Sequence, residues 1–466
     1  MESGTLALVS AINFSEETKQ FLNAKTYCMT SIQNQPLDKL NIFSLKGVQM
    51  KTFHITWLTF FFCFFAWFGI APLMPLVSES LHLTKGQKAN VAIAAVSATI
   101  IARLIIGRLT DTLGPRKVYT WLLVLCALPV MFIGLANSYT TFLLFRLGIG
   151  VIGASFVLTQ FHTSIMFAPN IKGTANAVAG GWGNAGGGAT QIMMPLIAAG
   201  LVGAGWVSKA DSWRYAMIIP GVMLLVMAKL YWKYTKDTPA GNFDELTSKE
   251  TGKKENTFLL AAKDYRTWVL TIAYAACFGV EITVDNFAAS YFHDDYRATL
   301  IFAGLLASIF GWINIFARAL GGIVSDKVGR RYGFNGKVSL LAILLLLEGV
   351  GIMLFSNAGG LVIAITMMFF FGLCLKMANG ATYSIVPFVN PKAVGSVAGI
   401  VGAGGNVGAM AIGFLFKAMS YTTAFMYLGG VVFAVGLVVL TVRLMSKKVM
   451  ENRVIESNEM EKAVAA

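Results

Sequence analysis

Charge is scarce in this chain. Only 13% of its 466 residues are Asp, Glu, Lys or Arg, against 56% hydrophobic, and a composition so poor in charge excludes an ordinary soluble domain. Cysteine and histidine are scarcer still, with five and four copies. Cys28 lies near the start, and Cys63, Cys126, Cys277 and Cys374 each stand in apolar stretches. None forms a CxxC pair or joins the histidines at metal-ligand spacing, so they read as small core residues and no metal is expected. A nucleotide loop and any cofactor motif are also missing, which leaves an enzyme reading without machinery. The first fifty residues, rich in Ser, Asn, Gln and Lys, lack the charged start and apolar run of a cleavable signal. They read as a cytoplasmic tail with a surface helix around 41–51.

Apolar stretches are what the chain has in abundance. Segments of about 20 residues, each long enough to cross the hydrocarbon core, recur from Phe53 to Leu444. The count is twelve: 54–78, 89–110, 118–136, 140–167, 173–204 and 213–234, then 266–291, 299–324, 338–356, 359–387, 393–418 and 422–445. The fold class is therefore an all-α polytopic membrane protein. Its expected divisions are a tail over 1–52, a six-helix half over 53–235, a polar linker over 236–265, a second half over 266–445 and a tail over 446–466. The net charge of +14 reads as basic loops beside anionic lipid rather than a nucleic-acid surface. Arg108, Arg116 and Lys117 follow the second span, and Lys327, Arg330, Arg331 and Lys337 follow the eighth, whereas 136–140 and 356–360 carry no charge. Positive-inside logic puts both termini and the linker in the cytoplasm of a multi-pass plasma-membrane protein (the inner membrane, if bacterial).

The chain is also written twice. Arg103-x3-Gly107-x3-Asp111-x2-Gly114-x-Arg116 is matched by Arg318-x3-Gly322-x3-Asp326-x2-Gly329-x-Arg331 at an offset of 215. A second pair, Gly180-x-x-Gly183-Asn184-x-Gly186 and Gly402-x-x-Gly405-Asn406-x-Gly408, repeats at an offset of 222. Two six-helix halves with parallel repeat symmetry describe the major facilitator architecture. The Asp111, Arg116, Asp326 and Arg331 loops resemble that superfamily's cytoplasmic signature, which implies a structural gate of charge pairs and helix-end contacts. Each helix-interior glycine costs roughly 1 kcal/mol relative to alanine; close helix approach in lipid is the usual compensation.

Arg103 and Arg318 differ in kind, because they lie inside apolar spans. Each stands eight residues before its loop aspartate, about 12 Å deep at 1.5 Å per residue, where an arginine costs roughly 2.5–3.5 kcal/mol on insertion scales. Pairing with a carboxylate or helix carbonyls would satisfy one such residue. A repeat-related pair points instead to a shared central cavity. At ~8 Å and an effective dielectric of ~20 the two would repel by ~2 kcal/mol, and an anion between them would reverse the sign. The forked guanidinium suits planar oxyanions. Tyr274, Phe278, Glu281 and Asp285 fall on one face of span seven, and Phe156 lies one turn before Gln160 in span four. Any one of these aromatics alone reads as packing. Intramembrane carboxylates are rare, so Glu281 and Asp285 are proton-coupling candidates, with neutralisation of an arginine as the plainer role.

The glycine pair GGWGNAGGG and GAGGNVGAM is similar to the two nitrate-signature segments of the nitrate/nitrite porter family within the major facilitator superfamily. FHITWLTFFFCFFAWFGIAPL near Phe53, FGVEITVDN near Phe278 and ATYSIVPFV near Ala381 extend the resemblance over essentially everything after the first fifty residues. The resemblance implies a nitrate transporter. It places Arg103 and Arg318 on the family's substrate arginines, Phe156, Tyr274 and Phe278 on the aromatics that sandwich the anion, and Asn184 and Asn406 on the signature asparagines. The asparagines are equally suited to hydrogen bonds between helices, and the glycines to letting spans five and eleven slide as the halves rock.

Bringing one anion inward against 100 mV costs about 2.3 kcal/mol, so uptake needs co-transported cations or exchange. The span-seven carboxylates resemble the family's proton-symport type. The expectation is nitrate uptake with protons, with nitrite transport or nitrate/nitrite exchange as the alternative, and a nitrate-binding sensor as the rival from another class.

Overall fold

A computed structural model describes residues 35–245, 257–390 and 393–441. Among them the chain is helical, with two isolated β-bridges, Leu37 to Phe167 and Thr238 to Gly241. Eleven helical stretches are long and apolar enough to cross a membrane. One of these, Leu300–Ser356, is 57 residues long, about twice what a bilayer requires. Gly333, at φ 68° and ψ −167°, breaks it into two arms. Counting both arms gives twelve spans.

The spans are Gly47–Ser80, Lys85–Leu113, Pro115–Leu135, Tyr139–Met166, Pro169–Gly203 and Ser212–Tyr234 in the first half. Tyr265–Tyr296, the two arms 300–332 and 334–356, Leu361–Ile385, Val394–Ala418 and Tyr421–Thr441 form the second. Local chemistry sets several ends. Thr84 and Gln87 form a reciprocal capping box before span two, and Ser138 with Thr141 does the same before span four. Thr299 caps span eight through the amide of Phe302. Arg297, in the left-handed region at φ 52°, closes span seven.

Packing repeats with the sequence. Span one lies on span five and span seven on span eleven; span three lies on span six and span nine on span twelve. Across the halves, span two meets span eleven and span eight meets span five. Each half therefore lends its arginine-bearing span to the other half's glycine-rich span.

Two differences from the sequence reading stand out. The helix expected around 41–51 begins only at Gly47. Before it, Leu37 pairs with Phe167 and His54 bonds the Ser44 carbonyl at 3.1 Å, so the end of the tail docks on spans one and four. The linker's described part is also built into the bundle. Asp237, which is buried, accepts from the amides of Arg116 at 2.8 Å and Phe243 at 3.1 Å, and a short helix covers Thr257–Lys263.

Candidate functional site

Both arginines of the repeat are buried, Arg103 at 5% and Arg318 at 4% exposure. They face the same ring: the guanidinium carbons lie 5.7 Å and 5.8 Å from the Phe278 centroid. Arg103 also lies 5.3 Å from the Phe156 ring. Tyr274 stacks on Phe278 at 5.0 Å with planes 7° apart, one helical turn earlier on span seven. Tyr383, from span ten, completes the box edge-on to Tyr274 at 5.1 Å and to Phe156 at 5.9 Å. The structure thus brings Arg103, Arg318, Phe156, Tyr274 and Phe278 together and adds Tyr383, whose hydroxyl is buried against them.

The two arginines are not equivalent. Arg318 donates to Glu281 Oε2 and to the Tyr274 hydroxyl, each at 3.5 Å. Arg103 donates only to backbone carbonyls, Gly402 at 2.6 Å and Gly153 at 3.2 Å, and its Nη2 has no acceptor among the described residues. A guanidinium buried beside aromatic faces with no opposing carboxylate is a ready anion receptor.

The glycine segments explain how the arginines reach the centre. A Cβ placed on Gly402 would lie 3.7 Å from Arg103 Nη1, and one on Gly180 would lie 3.7 Å from Arg318 Nη1. Each arginine therefore rests against the glycine segment of the opposite half. The other signature glycines seat helices within a half. A Cβ at Gly186 would come within 2.0 Å of the Phe61 carbonyl, and one at Gly408 within 2.4 Å of the Ala275 carbonyl. At Gly183 it would strike Phe60, and at Gly405 it would strike Phe278 at 2.6 Å and Tyr274 at 2.9 Å. The asparagines diverge. Asn184 crosses between the halves to Glu281 Oε1 at 3.1 Å, whereas Asn406 donates to the Gly402 carbonyl of its own helix at 3.4 Å.

Glu281 is the charged hub. Besides Arg318 and Asn184, it accepts from Asn314 at 3.0 Å and Asn379 at 2.6 Å, and its Oε1 lies 2.8 Å from Lys376 Nζ. Lys376, fully buried, also sits 4.1 Å over the Phe310 ring. Asp285 is buried four residues on, facing the Gly187 backbone, and is in no ion pair among the described residues. Glu348, in span nine, is fully buried, and neither carboxylate oxygen has a hydrogen-bond partner among the described residues. The sequence reading missed Lys376 and Glu348. Both are lone charges in apolar runs, the same signal that singled out the arginines. Tyr383, Asn314 and Asn379 carried no such signal, because polar neutral residues are common in packed membrane helices.

At the basic end of the bundle, Asp326 is paired to Lys337 at 2.6 Å. Arg116 donates through Nε and Nη2 to the Trp232 carbonyl at 2.9 and 2.6 Å and stacks over its ring. Arg331 lies over Tyr332. The side chain of Asp111 falls outside the described residues. Burial pushes the Asp237 carboxyl above its ordinary value, while the Arg116 and Phe243 amides pull it down.

Comparison with known proteins agrees with this architecture. Residues 56–411 match the Major Facilitator Superfamily model. A high affinity nitrate transporter 2.5 from Arabidopsis thaliana is 37% identical over 385 residues, covering 82% of this chain and 76% of the relative. Nitrate transporter 2.1 of Chlamydomonas reinhardtii is 38% identical over 394 residues, covering 82% and 72%. A nitrate/nitrite transporter NrtP from Picosynechococcus is 28% identical over 451 residues, covering 78% and 83%. Among solved structures, a bacterial homolog of the lysosomal transporter Spinster superposes with a TM-score of 0.63 at 16% identity, over 85% of this chain and 95% of that one. The nucleoside transporter NupG superposes at 0.62 and 13%, over 85% and 100%; both show the fold alone. With its doubled arginine and glycine segments and these relatives, the chain belongs to the nitrate/nitrite porter family of the Major Facilitator Superfamily.

Proposed function

We propose that the chain is a secondary active transporter that carries nitrate inward across the plasma membrane, with both termini cytoplasmic and nitrate bound between Arg103 and Arg318. The observation that carries this reading is the position of the two guanidiniums beside one Phe278 ring, 5.7 and 5.8 Å from its centre, with no carboxylate bonded to Arg103 among the described residues. Nitrate is flat, singly charged and weakly hydrated, so forked donors and aromatic walls suit it. Phe156, Tyr274, Phe278 and Tyr383 supply the walls. Relatives named as high affinity nitrate transporters support the same substrate.

The rocking of the halves follows from the crossed packing. Arg103 belongs to the first half and Arg318 to the second, so an anion bridging them draws the halves together. Because each arginine rests against the opposite half's glycine segment, relative motion changes the surroundings of both at once. As Arg318 turns to the anion it loosens from Glu281, which keeps Lys376 and Asn379. We assign Glu281, with Asp285 near it, to proton coupling, since an anion moving alone would be driven outward by about 2.3 kcal/mol per 100 mV. Relatives named nitrate/nitrite transporters favour a second reading, transport or exchange of nitrite.

The deciding experiment is nitrate uptake by the purified protein in proteoliposomes, scanned over pH and membrane potential. Arg103→Lys keeps the charge and loses the fork, so uptake should fall by about 100-fold. Full activity of that variant would remove the planar-anion argument. Binding without flux would make the protein a sensor, and counterflow from nitrite-loaded vesicles without proton dependence would make it an exchanger.

A further inference from the structure

One buried charge plays no part in the central site. Arg146, in span four, is 1% exposed. Its Nη1 donates to the Trp67 carbonyl at 3.0 Å and its Nη2 to Asn286 Oδ1 at 3.4 Å, both neutral acceptors, while Nε has none. No carboxylate is paired with it among the described residues. A guanidinium this deep with no counter-charge is costly and is a binding group in waiting.

The side chain lines a small cavity, open at one side, at the end of the bundle opposite the basic loops. Lys88 and Arg146 come from the first half; Asn286, Ser290 and Tyr421 come from the second. Lys88 stands at the mouth, its charge answered by Asp294 at 3.3 Å. Asn286 lies eight residues beyond Phe278 on span seven, about 12 Å along the helix. The cavity is thus the next chamber outward from the arginine pair.

We propose that this cavity is a second anion site, which holds a small monovalent oxyanion at the outer entrance before it passes to the central arginines. The assignment of the anion and of the outer side rests on the nitrate-uptake reading. The chemistry belongs to the cavity: a buried, uncompensated guanidinium, a rim ammonium, and the hydroxyls of Ser290 and Tyr421. Positive potential focused in a low-dielectric cleft raises the local concentration of anions, and two sites in series let an ion leave one as the next arrives.

The test uses full-length protein in proteoliposomes with nitrate as the probe. Arg146→Gln should raise the KM for external nitrate by about tenfold, and Lys88→Gln by about threefold with a steeper loss at low salt. Both should keep kcat, and the KM for efflux from the inner side should not move. A calorimetric titration supplies an independent readout. Purified Arg318→Ala, weakened at the centre, should keep a weak nitrate site that disappears when Arg146→Gln is added. Unchanged external KM in both single variants overturns the proposal. So does a fall in kcat at constant KM in both directions, which marks Arg146 as a tether between Trp67 and Asn286 only. If Arg146→Gln does not fold, Lys88→Gln carries the kinetic test and Arg146→Lys the binding test. Absent uptake by the wild type would count against the transport reading, and the titration would still judge the cavity.

Discussion

Arg103 of the first half donates a 2.6 Å hydrogen bond to the carbonyl of Gly402 in the second. One contact joins the two motifs that the sequence repeats. A side chain at Gly402 would press on this arrangement, since a Cβ there meets the Tyr383 hydroxyl at 3.0 Å and Arg103 Nη1 at 3.7 Å. Tyr383 is wedged between Tyr274 and Phe156 and has little room to give. Gly402→Ala is expected to raise the KM for nitrate by about fivefold, the equivalent of about 1 kcal/mol, with the protein still folded. Uptake kinetics against Gly399→Ala, where nothing lies within 4 Å, measure the difference.

Lys376 and Glu281 form a buried ion pair, so removing Lys376 leaves Glu281 with Arg318 as its one paired cation among the described residues, and removing Glu281 strands Lys376. Lys376→Met is expected to destabilise the protein by about 3 kcal/mol, read as a lowered melting temperature in detergent. Glu281→Gln tests a different property. It strands Lys376 but should also abolish the pH dependence of uptake if Glu281 carries the proton. Unaltered proton flux with that variant would return Glu281 to a purely neutralising role.

Gly186 and Gly408 set backbone-to-backbone contacts that no side-chain rotation can relieve. Alanine at either would drive a Cβ to 2.0 or 2.4 Å from a carbonyl oxygen of span one or span seven. Both variants should lose most transport and part of their stability, by about 1–3 kcal/mol. Gly173→Ala, with nothing within 4 Å, should behave as wild type in the same uptake and thermal-melt assays.

Gly114 occupies the left-handed region at φ 83°, with Asp237 Oδ1 only 2.6 Å from where a Cβ would stand. Gly114→Ala should cost about 1–2 kcal/mol from the backbone alone, and more from displacing Asp237, seen as a lower melting temperature. The carboxylate has its own pH signature. Burial raises its pKa in the folded chain, so its contribution to stability is present below the unfolded value of about 3.9 and is lost as pH rises through the folded one. The melting temperature of the wild type should therefore fall relative to Asp237→Asn as pH is raised from about 4. A constant difference would mean the group titrates alike in both states.

The architecture was legible in the linear chain. Twelve apolar segments, basic loops at alternate connections and two doubled motifs leave few folds, because lipid forces each backbone polar group into a helix and the repeat dictates the pairing of halves. Arg103 and Arg318 were legible for the same reason, since charge in an apolar span is too costly to be incidental. Which side chain answers which charge, by contrast, emerges only from the packing of the spans in three dimensions. The repeat makes the arginines look alike, yet Glu281 lies beside Arg318 while no carboxylate is paired with Arg103 among the described residues, because Glu281 has no acidic counterpart at the matching depth of span one. Lys376, Tyr383 and Arg146 took their roles from neighbours on other spans, far away in the chain, and a linear pattern holds no record of such contacts.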